Sequence, residues 1–375
     1  MRRRILFVAH DAWLYGPNQS LVNMISSLEN REIDVFTVFP ARGPICDVFD
    51  QRGWTYFIVT YRNELYPKIN GRFDKGIHCL RFFYKQFLNW KASKNLHQIV
   101  IDNKINIIHS NSAVVKIGFD LSQNTKTKHV WHLREFIHPN YGLFVYGGLE
   151  KYKEKVRRTD HIICITEKVC KEFNVGTNAL ILQDAIRPNP RYVEAVLKSN
   201  YFLFCGSLHK NKGIEEAIYA YREVAKRFEN YRLLIVGEGT NEYENYLKDL
   251  VKDEIAAKKI EFLGFRKDVD EIMSKALALL MCSRNEALGR VTIEAMLNFC
   301  LVFGYNEGGT AELVVSWDTG VLYDTTEELI ELMAKRITQP DDFGTIIDKA
   351  HQFASINFLE ASYGERLVNY YNTLD

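Results

Sequence analysis

Glu286 and Glu294 stand eight positions apart in SRNEALGRVTIEAML (283–297), directly after the apolar run LALLMC. The first falls in a loop. Gly289 permits a tight backbone, and Val291 to Leu297 should open a helix with Glu294 about one turn in. Each carboxylate can accept hydrogen bonds from two neighbouring hydroxyls. A sugar and a ribose both offer such pairs, and free N–H groups at the helix start could meet a diphosphate between them. The same residues also fit a solvated helix glutamate beside a loop charge, and spacing alone does not choose.

The first half holds three further candidates. In ILFVAHDAWLYGPNQSLVNMI (5–25), Gly16 fits a helix N-cap and Pro17 the first helical position, leaving the N–H groups of Asn18, Gln19 and Ser20 for an anion. In VWHLREF (130–136), His132 closes an apolar run, with Arg134 and Glu135 following; a lone histidine in this position is more often structural. Between residues 62 and 98, Arg62, Lys68, Arg72, Lys75, Arg81, Lys85, Lys91 and Lys94 interleave with Tyr66, Phe73, Phe82, Phe83, Tyr84, Phe87 and Trp90, against only Glu64 and Asp74. That basic, aromatic helix suits either an anionic membrane surface or a sheet face with solvated charges. No nucleic-acid motif accompanies it, so nucleic acid is not expected as a partner.

These residues need a scaffold, and the apolar runs supply one. In the first half they are 5–9, 33–40, 55–61, 105–110, 129–133, 161–166 and 179–185. In the second they are 201–206, 232–237, 259–264, 277–283, 300–305 and 319–324. They are continuous and rich in β-branched and aromatic residues, as strands buried on both faces of a parallel sheet are. Amphipathic stretches such as 213–228 separate them as helices. Alternation repeated twice predicts two doubly wound α/β domains, 1–190 and 191–355, with a C-terminal helix over 356–375 packing back on the first. The joint falls near AIRPNPRYVEAVLKSN (185–200). In such sheets ligands sit beyond the carboxyl ends of the strands, so functional residues should follow strands.

A chain of 375 residues suits two domains. Residues 1–190 hold 27 Lys and Arg against 17 Asp and Glu, a net +10. The remainder hold 21 against 30, a net −9. The first domain is therefore expected to face something anionic. The seven cysteines are odd in number, scattered and without CxxC, which suits reduced thiols in a cytoplasmic protein. No Cys/His spacing suggests a metal. The opening MRRRILFVAHD is too short for a signal-peptide core, and no apolar run reaches the ~18–20 residues of a membrane span.

E-A-L-G-R-V-T-I-E-A-M (286–296) resembles the Glu–seven residues–Glu signature of retaining glycosyltransferase family four (glycosyl transferases group 1), which has the GT-B fold. Four more segments resemble that family in its own order: CGSLHKNKGIEEAI (205–218), LLIVGEG (233–239), IEFLGFRKDVDEIM (260–273) and VFGYNEGGTAELV (302–314). The resemblance covers about 201–324 tightly and the first half loosely. It implies two Rossmann-like domains facing across a cleft, the second binding a nucleotide-sugar donor and the first an acceptor.

Residue by residue, the resemblance makes Lys212 the cation for the donor diphosphate and Glu286 the holder of donor-sugar hydroxyls. It gives Glu294 to the ribose and places Gly206, Ser207, Leu288, Gly289, Arg290 and Val291 near phosphates and sugar. Where the family often has arginine after the first glycine, this chain has Ser207; Lys210, Arg290 and His209 are the possible replacements. Gly16 retains part of the family's phosphate- or acceptor-side loop. His132 matches its histidine segment, with a catalytic role beside Glu286 and Lys212. Thr166, at the family's serine position, reads as a helix cap. Neither a cofactor nor a metal is implied. The expected reaction moves a sugar, with retention, to a glycan acceptor linked to a polyprenyl diphosphate in cell-surface polysaccharide synthesis. Alternatives are a soluble acceptor or a catalytically idle partner subunit. The expected place is the cytoplasm, peripheral on the inner face of the membrane.

Overall fold

A computed structural model describes residues 2–67, 72–137, 143–176, 179–187, 189 and 197–374. Lys68 of the basic segment and half of the expected joint lie outside these residues. The chain forms two compact units. One is Met1–Pro188 with Glu360–Asp375, and the other is Asn189–Leu359.

The first unit carries strands β1 (Arg3–Val8), β2 (Ile33–Phe39), β3 (Tyr56–Ile58), β4 (Leu65–Pro67), β5 (Ile107–Ser110), β6 (Lys128–Leu133), β7 (Leu143–Val145), β8 (His161–Cys164) and β9 (Ala179–Ile181). Seven of them form a parallel sheet in the order β3-β2-β1-β5-β6-β8-β9. All seven apolar runs of the first half supply a strand. The chain steps outward from β1 and returns to β5 on the other side, which puts the switch in strand order between those two. β4 and β7 form a separate antiparallel ribbon. Sequence reading missed it because each strand is a three-residue segment, one of them ending in Pro67.

The alternation of side chains along the strands assigns the faces. Ile5, Phe7 and Ile107 pack with Leu21, Met24 and Ile25 of the helix Gly16–Leu28 and with Tyr363, Leu367 and Tyr371 of the last helix, Glu360–Asn372. Leu6, Val8 and Ile108 pack on the other face with Ala92, Leu96 and Val100 of the long helix Arg72–Asp102. Each such large side chain contributes about 1.5–3 kcal/mol on burial. The last helix lies close against the first because position 364 is glycine; a Cβ there would collide with the Ser27 carbonyl oxygen. Ser26 Oγ donates to Glu360 Oε2 at 2.6 Å at the same seam.

The second unit carries β10 (Tyr201–Cys205), β11 (Arg232–Val236), β12 (Ile260–Gly264), β13 (Leu279–Met281), β14 (Val302–Tyr305) and β15 (Val321–Tyr323). They form a parallel sheet in the order β12-β11-β10-β13-β14-β15, with the switch between β10 and β13. The helix Ile214–Ala225 buries Ile214, Ala217, Ile218, Tyr221 and Val224 against it, the stripe its periodicity predicts. The C-terminal stretch divides. Helix Gly344–Asn357 stays with the second unit, which runs to Leu359, four residues past the expected boundary.

Candidate active site

Lys212 follows β10 and Glu286 follows β13, the neighbours that flank the switch point of the second sheet. A three-residue turn, Lys210–Lys212, carries the lysine. It ends at Gly213 with φ 71°, where a Cβ would collide with the Cys282 backbone at the end of β13. That close approach seats the lysine turn against the glutamate loop. Lys212 Nζ donates to Glu286 Oε1 at 2.5 Å.

The glutamate loop rests on a second pair of glycines. Gly309 N donates to the Glu286 carbonyl at 2.8 Å, and a Cβ at Gly308 or Gly309 would press into the backbone of Glu286 or Leu288. The Gly-Gly of VFGYNEGGTAELV is thus a platform for residues 284–289. Gly289, at φ 81°, caps the helix Arg290–Leu297, which begins one residue earlier than expected. Leu288 is buried, Val291 half-buried, and Arg290 Nη2 lies 3.9 Å from Glu294 Oε1. Thr292 Oγ1 and Thr310 Oγ1 are buried beside Gly289 without partners, two spare hydroxyls at the helix start.

The turns after β10 and β11 cross backbone on backbone. Gly206 has φ 149°, and a Cβ at Gly237 would overlap the Gly206 carbonyl. Ser207 is exposed. Of its possible replacements, His209 uses Nδ1 to accept from Asn211 N at 3.3 Å and so caps the lysine turn. Arg290 stands beside Glu294, and Lys210 is solvent-exposed.

The switch point of the first sheet is built from buried side chains instead. His132 is fully buried near the carboxyl end of β6. Arg134 Nη2 donates to its Nδ1 at 3.1 Å, and His109 Nε2 lies 3.2 Å from the same atom. A guanidinium only donates, so Nδ1 is an acceptor and the proton sits on Nε2. His109 Nε2 then donates, and His109 Nδ1 accepts from the Tyr371 hydroxyl at 2.7 Å. Burial, together with Arg134, pushes both histidines well below the usual range, so both are neutral. His132 Nε2–H is left as a buried donor without a partner. Arg134 itself donates to Asp184 and, at 3.0 Å, to Asn111 Oδ1. Arg134 is thus committed to partners inside the fold.

The Gly16 loop also differs from expectation. Tyr15 is the N-cap and Gly16 the first helical residue, with φ 34°. The Asn18 and Gln19 amides donate to the Tyr15 carbonyl, at 2.9 and 3.4 Å, rather than standing free for an anion. Asn18 Nδ2 holds the loop by donating to Asp11 Oδ1 at 2.6 Å and to the Trp13 carbonyl at 2.7 Å. Trp13 and Tyr15 are thereby left exposed. Thr166 is a cap, accepting from Val169 N at 3.3 Å. His109, Asn111, Asp184 and Tyr371 were missed as members of the buried network. The one available signal was a polar residue at the end of an apolar run, as in INIIHS and ALILQDA.

Two parallel doubly wound sheets, each with polar side chains after the strands that flank its switch, make up the GT-B fold. Residues 188–354 match the family model described as "Glycosyl transferases group 1". It is 26% identical over 260 residues to an uncharacterised glycosyltransferase of Methanocaldococcus jannaschii, covering 65% of this chain and 69% of that one. A Campylobacter jejuni N-acetyl-D-galactosaminyltransferase, named for a glycan on undecaprenol diphosphate, is 30% identical over 144 residues, 37% of this chain and 38% of that one. Among solved structures, Anabaena HepE in complex with UDP-glucose superposes with a TM-score of 0.77 at 19% identity, covering 99% of this chain and 100% of that one.

Proposed function

We propose that the protein is a retaining transferase that takes a sugar from a nucleotide-sugar donor held on the second unit. The observation that carries this reading is the Lys212–Glu286 contact at the switch point. A cation for a diphosphate and a carboxylate for sugar hydroxyls stand together, each neutralising the other until a ligand exchanges the pair. In that role Lys212 and the helix-start amides stabilise the departing diphosphate. Glu286 orients the sugar, and Glu294 takes the ribose. His132 Nε2–H is a spare donor for a donor-sugar hydroxyl. No metal is needed, because the lysine and the amides meet the diphosphate charge.

The acceptor proposed is a glycan linked to a polyprenyl diphosphate. The C. jejuni relative is named for such a substrate, and the first unit carries a surface suited to a lipid headgroup layer. On the helix Arg72–Asp102, Leu80, Phe83, Tyr84, Phe87 and Trp90 are 57–73% exposed. Their spacing puts them on one stripe with Lys91 and Lys94. No helix among the described residues is long and apolar enough to cross a membrane; the stripe would hold the protein at an anionic surface without spanning it.

A melting-temperature screen with UDP, GDP, dTDP, ADP and their sugars tests the donor half, since a ligand bound to the native state alone raises the midpoint. Transfer from the donor so found should survive excess EDTA. Abolition by EDTA with rescue by magnesium or manganese would count against this chemistry.

A further inference from the structure

At the switch point of the first sheet, two polar atoms outside the His132 network have no partner. Glu135 lies two residues after β6. Its Oε1 accepts from Ser112 Oγ, just beyond β5, while its Oε2 is shielded from solvent and unpartnered. His10 lies two residues after β1. Its Nε2 stands 3.0 Å from Asp11 Oδ2, and its Nδ1 is shielded and unpartnered. Since β1, β5 and β6 are adjacent in the sheet, both residues follow strands at the same carboxyl edge, and Glu135 is near enough to act on the His10 charge.

Both groups are held in place by their other partners. The aspartate that holds His10 also accepts from Tyr15 Oη at 2.9 Å, from Trp13 N at 3.0 Å and from Asn18 Nδ2 at 2.6 Å. A carboxylate only accepts, so Nε2 of His10 donates to it and Nδ1 is the atom left to meet a ligand. Asp11 and Glu135 attract the proton on His10, which holds the imidazole above its ordinary range despite burial. Burial raises the Glu135 carboxyl as well; with the proton on His10, Nδ1 is a donor and Glu135 Oε2 an acceptor. Shielded polar atoms without partners are costly to a fold and call for a ligand or a water.

We infer that Glu135 Oε2 and His10 Nδ1 recognise one hydroxyl of the acceptor glycan. The hydroxyl donates to the carboxylate and accepts from the imidazolium. The charges select this chemistry. Glu135 repels a phosphate and His10 repels an ammonium, whereas a neutral hydroxyl satisfies both atoms at once. Glu135 orients the hydroxyl; it is not assigned its proton. The inference deepens the transferase reading and rests on it.

The test uses the full chain saturated with UDP, with the methyl α- and β-glycosides of glucose, galactose and N-acetylglucosamine as probes, read by saturation-transfer NMR. E135Q keeps the volume, but with its oxygen on Ser112 it turns the free acceptor into a donor. H10Q removes the imidazolium. The parent should bind at least one glycoside, and each variant should weaken it by about tenfold or more, with the UDP-induced rise in melting temperature unchanged. Should E135Q fail to fold, H10Q carries the same test. Equal glycoside binding by parent and variants overturns the inference, as does a UDP-bound parent that takes none of the probes; water alone would then fill the gap. If UDP and the other nucleotides leave the parent's melting temperature unmoved, the donor reading fails first, and this inference falls with it.

Discussion

The two sheets share one topology but build their sites differently. At the β10/β13 switch the functional groups hang on turns and a helix start, positioned by glycines whose missing side chains let backbones touch. At the β1/β5 switch they are side chains of the strands and of the segments just after them, wired into a buried polar network that reaches Tyr371 of the last helix. The first arrangement leaves its charges half open to solvent, where a ligand can exchange their partners. The second fixes its partners on folding. The site of the second unit should therefore respond to mutation chiefly in binding, and the network chiefly in stability.

Acid sharpens that contrast most. His109, His129 and His132 are buried and held low, mainly by loss of solvation, His129 at about 3. Their folded pKa values lie below the unfolded 6.5, so the unfolded chain binds more protons and stability falls as pH drops below 6.5. Each histidine contributes about 2 kcal/mol to that loss by pH 5. His10, Glu64, Glu135 and Glu360 are raised and pull the other way, so the net loss is smaller than the three together. Urea melts at pH 7 and pH 5 should show it, and H129Q should flatten the dependence. An unchanged midpoint at pH 5 would mean that these buried histidines tolerate protonation.

Next in size is the Arg134–Asp184 pair, whose side chains are 1% and 6% exposed. Removing one partner leaves the other charge buried, which costs about 3–5 kcal/mol. R134A should therefore unfold at much lower urea. K212A breaks a pair whose lysine is 35% exposed, and it should cost about 1 kcal/mol or less in stability while removing nucleotide-sugar binding. If the two variants lose similar stability, the contrast between the sites collapses.

How the sequence announced each site follows from the same difference. All thirteen strands of the two large sheets were legible, because strands buried on both faces read as continuous apolar runs. The loop, cap and helix that carry Glu286, Gly289 and Glu294 were legible because they occupy one short stretch. The tie between Lys212 and Glu286 crosses 74 positions, and it became visible only as the closeness of Gly213 to Cys282. Arg134 and Asp184 are 50 positions apart, and His109 and Tyr371 are 262 apart. Nothing local marks such partners. The Gly16 loop misled for a different reason: a Gly-Pro start leaves amides free in principle, but the extended Tyr15 supplies a carbonyl to two of them.

A smaller effect tests the donor half alone. E294A should weaken nucleoside diphosphate binding by on the order of 2 kcal/mol, since a charged acceptor of ribose hydroxyls is lost. Its melting temperature without ligand should barely move, because Glu294 is 29% exposed. Calorimetry with the nucleotide found in the screen decides it; parent-like affinity would remove Glu294 from the ribose.

The smallest effect per residue concerns the surface of the first unit, where neither kind of site is at stake. Lys85 is not a free surface charge: its Nζ donates to the Leu65 carbonyl at 2.6 Å and so ties the helix to β4. Reversing it would confound docking with folding. Arg81, Lys91 and Lys94 are exposed, and Lys94 sits 3.9 Å over the Trp90 ring. Each basic residue near an anionic bilayer contributes about 1 kcal/mol, screened by salt. The aromatic stripe adds insertion that charge alone does not supply. The parent should sediment with phosphatidylserine vesicles at low salt and little with phosphatidylcholine vesicles. R81E/K91E/K94E should release it while leaving nucleotide binding intact, because Lys212, Glu286 and Glu294 belong to the other unit. F83S/F87S should weaken binding even at low salt, which separates insertion from electrostatics. Equal sedimentation of the parent and both variants would strip this helix of a membrane role and leave a soluble glycan as the better acceptor.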